Sequence, residues 1–579
     1  MLPTTSRRTF VKGLGAAATL AGFGLWRPLA GATDGQALAG QHFELFIGQT
    51  PVNITGRPRT ALTVNGSLPG PLLRWREGDT VTLRVRNRLD QDTSIHWHGI
   101  LLPSEMDGVP GLSFAGIAPG GDYLYRFTLR QSGTYWYHSH PGLQEQAGVY
   151  GAIVIEPREP EVHRYQRDHV LLFSDWSDEA PEALLATLKQ QSDAFNYHKR
   201  TLGDFIDDVA QNGWSNTVDE RLAWARMRMS PTDLADISAA TYTYLLNGQP
   251  PGGNFTCLFQ PGETVRLRLI NASAMTYFDF RIPGLQLTVI AADGLPVTPV
   301  TVDELRLAVA ETYDVLVTVG DLPAYTLFAQ SMDRTGYARG TLARAAGLQA
   351  PVPTPDPRPV LSMTDMGHGD MAAMDHSSMA GMDHSKMTGM NHGAMAGMSP
   401  SATAPMQQHP SSETGNPLVD MQTMAPRANL DDPGIGLRGN GRRVLTYADL
   451  RSPYPDPDGR EPSRDIELHL TGHMERFAWS FNGIKFSDAE PLRLAHGERV
   501  RITLVNDTMM AHPIHLHGLW SDLEDEHGRF LVRKHTVDMP PGSRRSYRVS
   551  ADTSGRWAYH CHLLYHMETG MFREVRVDE

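Results

Sequence analysis

Cysteine is nearly absent from this chain: two of 579 residues, Cys257 and Cys561. A fold held together by several disulfides is therefore excluded. Concentrated positive charge is missing too. The net charge is −13, and no basic stretch offers the electrostatic footprint that a nucleic-acid partner needs. There is no glycine-rich loop of the kind that cradles phosphate. Long apolar runs are also lacking. Gly13 to Leu25 is short and broken by four glycines, too short to cross a bilayer.

That short run has the setting of an export signal. Ser6-Arg7-Arg8-Thr9-Phe10-Val11-Lys12 has the form of a twin-arginine motif, and Ala30-Gly31-Ala32 offers a small-residue cleavage site. Residues 1–32 are predicted to be a twin-arginine signal peptide. The mature chain is then expected in the periplasm, without a stable membrane span. With Cys561 assigned below to a metal, no disulfide is predicted, and Cys257 is left to packing. In Asn254-Phe255-Thr256-Cys257-Leu258-Phe259 it reads as a buried apolar filler.

What the chain has is histidine in pairs. His96-Trp97-His98, His138-Ser139-His140, His515-Leu516-His517 and His560-Cys561-His562 all occur, with His512, His566 and Met571 nearby. On an extended strand, side chains at i and i+2 share a face and i+1 takes the other. His560 and His562 thus face one way and Cys561 the other. A blue-copper centre wants two histidines, one cysteine and a weak axial methionine. Cys561, His566 and Met571 supply three of these. His512 has opposite parity to His515, so it is offered to the Cys561 side. Eight histidines remain, which fits three metals held by three, three and two ligands. One such pair is ordinarily a weak signal; four, one with cysteine between its histidines, are not.

A threefold internal repeat explains the placement. Asn65-Gly66, Asn247-Gly248 and Asn482-Gly483 are each followed by a strand-like run that starts at Gly78, Gly262 or Gly497. Each run closes on an asparagine nine positions later: Asn87, Asn271 and Asn506. Apolar and charged residues alternate within it, the pattern of a strand with one buried face. Nine and eleven positions beyond Asn87 stand His96 and His98; the same steps beyond Asn506 give His515 and His517. Beyond Asn271 they give Phe280 and Ile282. Gly133 and Gly555 each precede a histidine, His138 and His560, by five positions. Copies one and three are therefore expected to share a cluster, with copy two holding no ligand.

These motifs resemble those of the multicopper oxidases, over nearly all of the exported chain. Among them the chain looks most like the bacterial copper-resistance oxidases of the CopA/PcoA type. The resemblance implies an all-β fold of three cupredoxin-like Greek-key β-sandwich domains, at 40–160, 161–350 and 434–579. It implies four catalytic copper ions. Type 1 would be bound by His512, Cys561, His566 and Met571, and type 2 by His96 and His515. The type 3 pair would be bound by His98, His138, His140, His517, His560 and His562. The family also places an acidic residue near the cluster, which Asp107 matches as a proton relay; the competing reading is a simple Asp107-Gly108 turn. Many bacterial relatives carry a second carboxylate directly after the last type 1 histidine. Here that position is Met567, and Glu568, one residue on, is the remaining candidate. Either type 1 histidine, near the surface, is expected to receive electrons.

Two segments depart from the repeat. Residues 177–236 lose the strand pattern, and Pro181–Lys189 and Glu220–Met227 read as helical, an insertion in copy two. Residues 351–433 turn to Met, His, Ser, Gly and Pro, with 13 of the 25 methionines between Met363 and Met424. An eight-residue unit occurs three times there. It presents His376 with Met374 and Met379, His384 with Met382 and Met387, and His392 with Met390 and Met395. With almost no bulky apolar residue the tract is expected to be a disordered linker. Its thioethers and imidazoles suit accessory copper. The expected activity is oxidation of Cu(I), and of small phenols, with O2 reduced to water, in copper tolerance, with periplasmic copper carriers as partners. The alternative is a copper-sequestering protein in which oxidation is secondary.

Overall fold

The structure is a computed structural model that describes residues 37–368 and 406–579. The expected signal peptide and the three Met/His units lie outside the described residues. Among the described residues six β-sheets form three successive pairs, one pair per sequence repeat. The run that closes each repeat is a strand: Thr80–Asn87, Thr264–Asn271 and Arg499–Asn506. Each pairs in parallel with the strand that opens its copy: His42–Val52, Arg167–Ser177 and Arg464–His473 respectively.

The repeated residues do the same work three times. Asn65, Asn247 and Asn482 take positive φ (53°, 49° and 53°), and the glycine after each does likewise. This is the two-residue hairpin turn that suits the strand twist and favours Asn-Gly. Their side-chain oxygens accept from the Phe46, Leu172 and His469 amides at 2.8, 2.7 and 2.7 Å. The closing asparagines lie where the chain leaves one sheet for the other. Asn87 donates to the Gln91 and Ile117 carbonyls, Asn271 to Thr276 and Leu307, and Asn506 to Met510 and Met539. Each also accepts from the amide two residues on. A buried backbone that changes sheets must satisfy its polar groups from side chains, and asparagine offers both donor and acceptor.

One buried face describes only the first of these strands, where Val81, Leu83 and Val85 are buried and Arg84 and Arg86 exposed. In the other two copies nearly every residue is buried. Their charged residues tolerate this because they are paired. Arg268 meets Asp168 at 2.8 Å, and Arg266 meets Asp314 at 2.6 Å.

Copy two joins its neighbours through one turn. Asp293 (φ 49°) and Gly294 (φ 80°) connect the strands Leu287–Ala292 and Leu295–Val302. The Asp293 carboxylate receives Lys534 Nζ at 3.0 Å and the amides of His535 and Thr536 at 3.2 Å, all in copy three. Gly294 presses on copy one. A Cβ there would lie 2.3 Å from the Tyr135 ring, and one on Gly133 would lie 2.0 Å from the Gly294 carbonyl.

The insertion contains three helices, Pro181–Gln190, Leu202–Asn212 and Trp214–Met227. The middle one was not predicted. It opens on a Thr201/Asp204 capping box and carries Leu202, Phe205, Ile206 and Val209 on one face at helical spacing, yet it buries none of them fully. The flanks of the methionine-rich tract also depart from a disordered linker. Leu361, Met366, Met421 and Leu430 are buried, and the Ala425 amide donates to the Gly367 carbonyl at 3.0 Å across the two flanks. These flanks carry the bulky apolar anchors that the repeat units lack.

Candidate metal centre

Backbone register reproduces the repeat. His96 pairs with His138 across the strands His96–His98 and Gly133–His138 in copy one. His515 pairs with His560 across His512–Leu516 and Gly555–Cys561 in copy three. The corresponding rung of copy two is Phe280 with Ala329. The two histidine-bearing sheet ends face each other, so eight imidazoles meet in one buried space. His98, His138 and His562 group with ring centroids 4.9–5.8 Å apart. His140, His517 and His560 group at 5.1–5.2 Å, with His517 Nε2 3.0 Å from His560 Nε2. His96 and His515 lie 5.8 Å apart.

On five of these imidazoles Nδ1 is tied to protein, whereas both nitrogens of His98 are without a partner. His96 Nδ1–H donates to the Asp107 carbonyl at 2.8 Å, and His517 Nδ1–H to the Asp107 carboxylate at 2.8 Å. His515 Nδ1–H donates to the His535 carbonyl at 2.6 Å, and His560 Nδ1–H to the Cys561 carbonyl at 2.9 Å. His138 Nδ1 meets Glu145 Oε2 at 2.7 Å. The Nε2 atoms of His96, His98, His138, His515 and His562 are buried without a partner. Buried polar atoms are rarely left so. Metal-bound imidazoles characteristically donate their other N–H to a carbonyl or carboxylate. The donor set therefore fits metal ions held inside it. Burial first, then the neighbouring imidazoles, holds His98, His138, His140, His515, His517 and His562 well below the ordinary histidine range. They are neutral and keep a lone pair for a metal.

On the other face of the same strand, Cys561 Sγ lies 3.5 Å from His512 Nδ1 and 3.8 Å from His566 Nδ1, and the two nitrogens are 3.1 Å apart. Parity thus places His512 and Cys561 as expected. It does not govern His566, which sits on the short helix Leu564–Glu568. The Met571 backbone is tied in on both sides: its carbonyl accepts from the Cys561 amide at 3.1 Å, and its amide donates to the His566 carbonyl at 3.0 Å. Burial pushes the Cys561 thiol up; a bound metal ion would deprotonate it outright. His512 Nε2–H donates to Thr508 Oγ1 at 2.7 Å, and Thr508 donates on to the closing asparagine Asn506 at 2.8 Å. His566 Nε2–H donates to Asp236 at 2.8 Å.

One expectation needs correction. His512 and His566 are not near the surface; both are fully buried, and Trp479 covers His566 with ring centroids 3.9 Å apart. Glu568 is exposed at the end of its helix and makes no hydrogen bond to the histidines. Asp107, in contrast, is buried and links His96 to His517, so it is more than a turn residue. Three residues went unnoticed in the sequence. Asp236 comes from the insertion. Glu145 is pushed well above the usual carboxylate range by burial and then by Asp175. His535 lies 4.7 Å from His98 between ring centroids. Each stands alone in the sequence, without a paired spacing to flag it.

The chain belongs to the multicopper oxidases: family profiles described as multicopper oxidase match residues 47–160, 167–347 and 459–579. It is thus a copper-dependent oxidoreductase, and its fold is the cupredoxin-like one expected. It is 67% identical to "Copper resistance protein A homolog" of Pseudomonas syringae pv. tomato, with 100% of both chains covered. It is 62% identical to "Copper resistance protein A" of Escherichia coli, again over 100% of both. Among solved structures it resembles Fet3p, a multicopper oxidase that functions in iron import, with a TM-score of 0.64 at 19% identity, covering 93% of this chain and 91% of that one. These relatives and the site place the chain among the copper-tolerance oxidases. No helix among the described residues is long and apolar enough to cross a membrane.

Proposed function

We propose that the mature protein works in the periplasm, taking electrons one at a time from Cu(I), and from small phenols, and delivering four to O2, which leaves as water. When bound, four copper ions supply the electron relay and the oxygen chemistry. His512, Cys561, His566 and Met571 hold the type 1 ion. His96 and His515 hold type 2, and the remaining six histidines hold the type 3 pair in the two groups of three described above. The observation that carries this reading is the single strand on which Cys561 faces one site while His560 and His562 serve the other. A few covalent bonds then connect the two sites.

The surrounding residues have separate tasks. Asp236 and Thr508 keep the Nδ1 atoms of His566 and His512 turned toward Cys561. Trp479 excludes water from that pocket. Asp107 fixes two imidazoles of the cluster. Glu145, its carboxyl raised well above the usual carboxylate range by burial, stands 2.7 Å from His138 Nδ1, where it can hold or pass a proton. A cavity of about 760 Å3 whose walls include His198, Asp233, Asp236 and Met363 lies over the insertion side of the type 1 pocket. It is the proposed electron-entry side, and Met363 opens the methionine-rich tract that would deliver copper. Copper-loaded protein should show an intense blue thiolate band and oxygen uptake, and Cys561→Ser should lose both. Persistence of the band in that variant overturns the assignment. Sequestration as the main task is the second reading, favoured by the repeated Met/His units. Deleting 369–405 decides it: copper tolerance falls while phenol oxidation stands if the tract recruits or stores copper.

A further inference from the structure

A second donor cluster lies outside all of these ligands. His409 and Glu413 stand on the C-terminal flank of the methionine-rich tract. His469 lies on the strand Arg464–His473, and Asp507 directly follows Arg499–Asn506. His469 Nδ1 is 2.6 Å from Asp507 Oδ2 and 3.7 Å from Glu413 Oε1. His409 Nδ1 is 3.2 Å from the same Asp507 oxygen and 3.3 Å from Glu413 Oε2. One donor atom from each of the four residues falls within 4.8 Å of all the others. Glu413, His469 and Asp507 are buried, and His409 is largely so.

The tethering repeats the logic of the histidine cluster. His409 Nε2–H donates to the Thr423 carbonyl at 3.0 Å, and His469 Nε2 meets Glu467 at 3.2 Å, so both Nδ1 atoms are turned inward. The outer carboxylate oxygens are also occupied. Asp507 Oδ1 accepts from the Thr423 amide at 2.7 Å, and Glu413 Oε2 from Gln422 at 2.9 Å. His409 Nδ1 and Glu413 Oε1 remain buried without a hydrogen-bond partner, aimed at the common centre. Oriented imidazoles, each with its second nitrogen held by oxygen, are what a metal site requires.

We propose that His409, Glu413, His469 and Asp507 form a further metal site, which takes Cu(II). Two neutral imidazoles and two carboxylates balance a divalent charge. Nitrogen and oxygen donors without sulfur suit Cu(II) and disfavour Cu(I), which prefers thioether and thiolate. That the ion is copper rests on the Cu(I)-oxidising function proposed above; the existence of the site does not. The position is apt for an ion leaving that reaction. Asp507 is flanked by Asn506 and Thr508, the pair that holds His512, and His409 stands on the flank of the tract rich in soft ligands. Without a metal the cluster is held by protons: the two carboxylates, outweighing burial, push His409 up to about 10. Metal and protons then compete for the same nitrogens.

The test is anomalous diffraction from crystals of the full-length, copper-loaded enzyme, measured on both sides of the copper and zinc edges. The expected result is a copper peak among these four side chains, besides those at Cys561 and in the histidine cluster. His409→Gln and Glu413→Gln should each lose that peak, and about one copper per chain by equilibrium dialysis, with the blue band intact. Full peaks at the other sites and none here overturn the proposal, and so does a zinc peak that copper does not replace. Should a variant fail to fold, the map of the unaltered enzyme still decides. The map needs no turnover, so a failure of Cu(I) oxidation alone would remove the functional reading and leave the site standing.

Discussion

Asp236 accepts a hydrogen bond from His566 at 2.8 Å, across 330 positions of sequence. The insertion in the second repeat thereby fixes a ligand proposed for the type 1 copper of the third. Asp236→Ala should weaken copper retention at Cys561, by roughly the 10–100-fold typical of such outer partners. Asp236→Asn, which keeps an acceptor, should recover most of it. Titrating the blue band against a chelator measures both, and equal loss in the two variants contradicts the positioning role.

Asp107 should separate the two halves of the reaction. Asp107→Ala removes the acceptor for His517 but touches nothing at Cys561. We expect oxygen uptake to fall about 10–100-fold while the blue band bleaches normally with reductant and returns slowly in air. Stopped-flow absorbance distinguishes this from a slowed electron entry.

The closing asparagines should be structural everywhere but functional in one copy. Asn271→Ala strips partners from two buried carbonyls and one amide in the copy without ligands. Each such loss costs about 1–3 kcal/mol, so a clear fall in Tm with an unaltered blue band is expected. Asn506→Ala should lower Tm and also disturb the band, because Asn506 steadies Thr508 against His512. Calorimetry and absorbance on the two variants check this together.

Acid should loosen the second copy and its contact with the first. Burial alone would raise Asp314, but Arg266 and Arg268 outweigh it and hold the carboxylate below its usual range, and Arg306 and Arg334 do the same for Asp279. Groups depressed in the folded state contribute fully above the unfolded carboxylate value, about 3.9, and lose that contribution as pH falls through the lower folded value. Tm should therefore fall steeply below about pH 4 on account of these groups. Asp314 also accepts from Thr134 of copy one at 2.7 Å. Asp314→Asn should cost about 3–5 kcal/mol near neutrality, as breaking a buried pair does, and flatten the acid limb. Thermal scans from pH 6 to pH 3 test it.

By itself the sequence determined the three strand-bearing repeats, the metal-rich strands and the division of Cys561 from its flanking histidines. All of these follow from local rules: the two-residue period of a strand, the turn chemistry of Asn-Gly, and donor types at fixed spacing. The strand rule stops where His566 enters a helix, and the middle helix of the insertion was overlooked although Leu202, Phe205, Ile206 and Val209 recur in it at helical spacing. Only the tertiary structure decided what stands behind the ligands. Asp236, Glu145 and His535 carry no spacing signal; Asp236 and His535 acquire their roles against histidines far away in the chain, and Glu145 against His138 across a loop. The turn at Asp293-Gly294 and the His409 cluster are of the same kind. Their meaning lies in backbones that approach and charges that meet only once distant segments are packed together, and no local pattern encodes that distance.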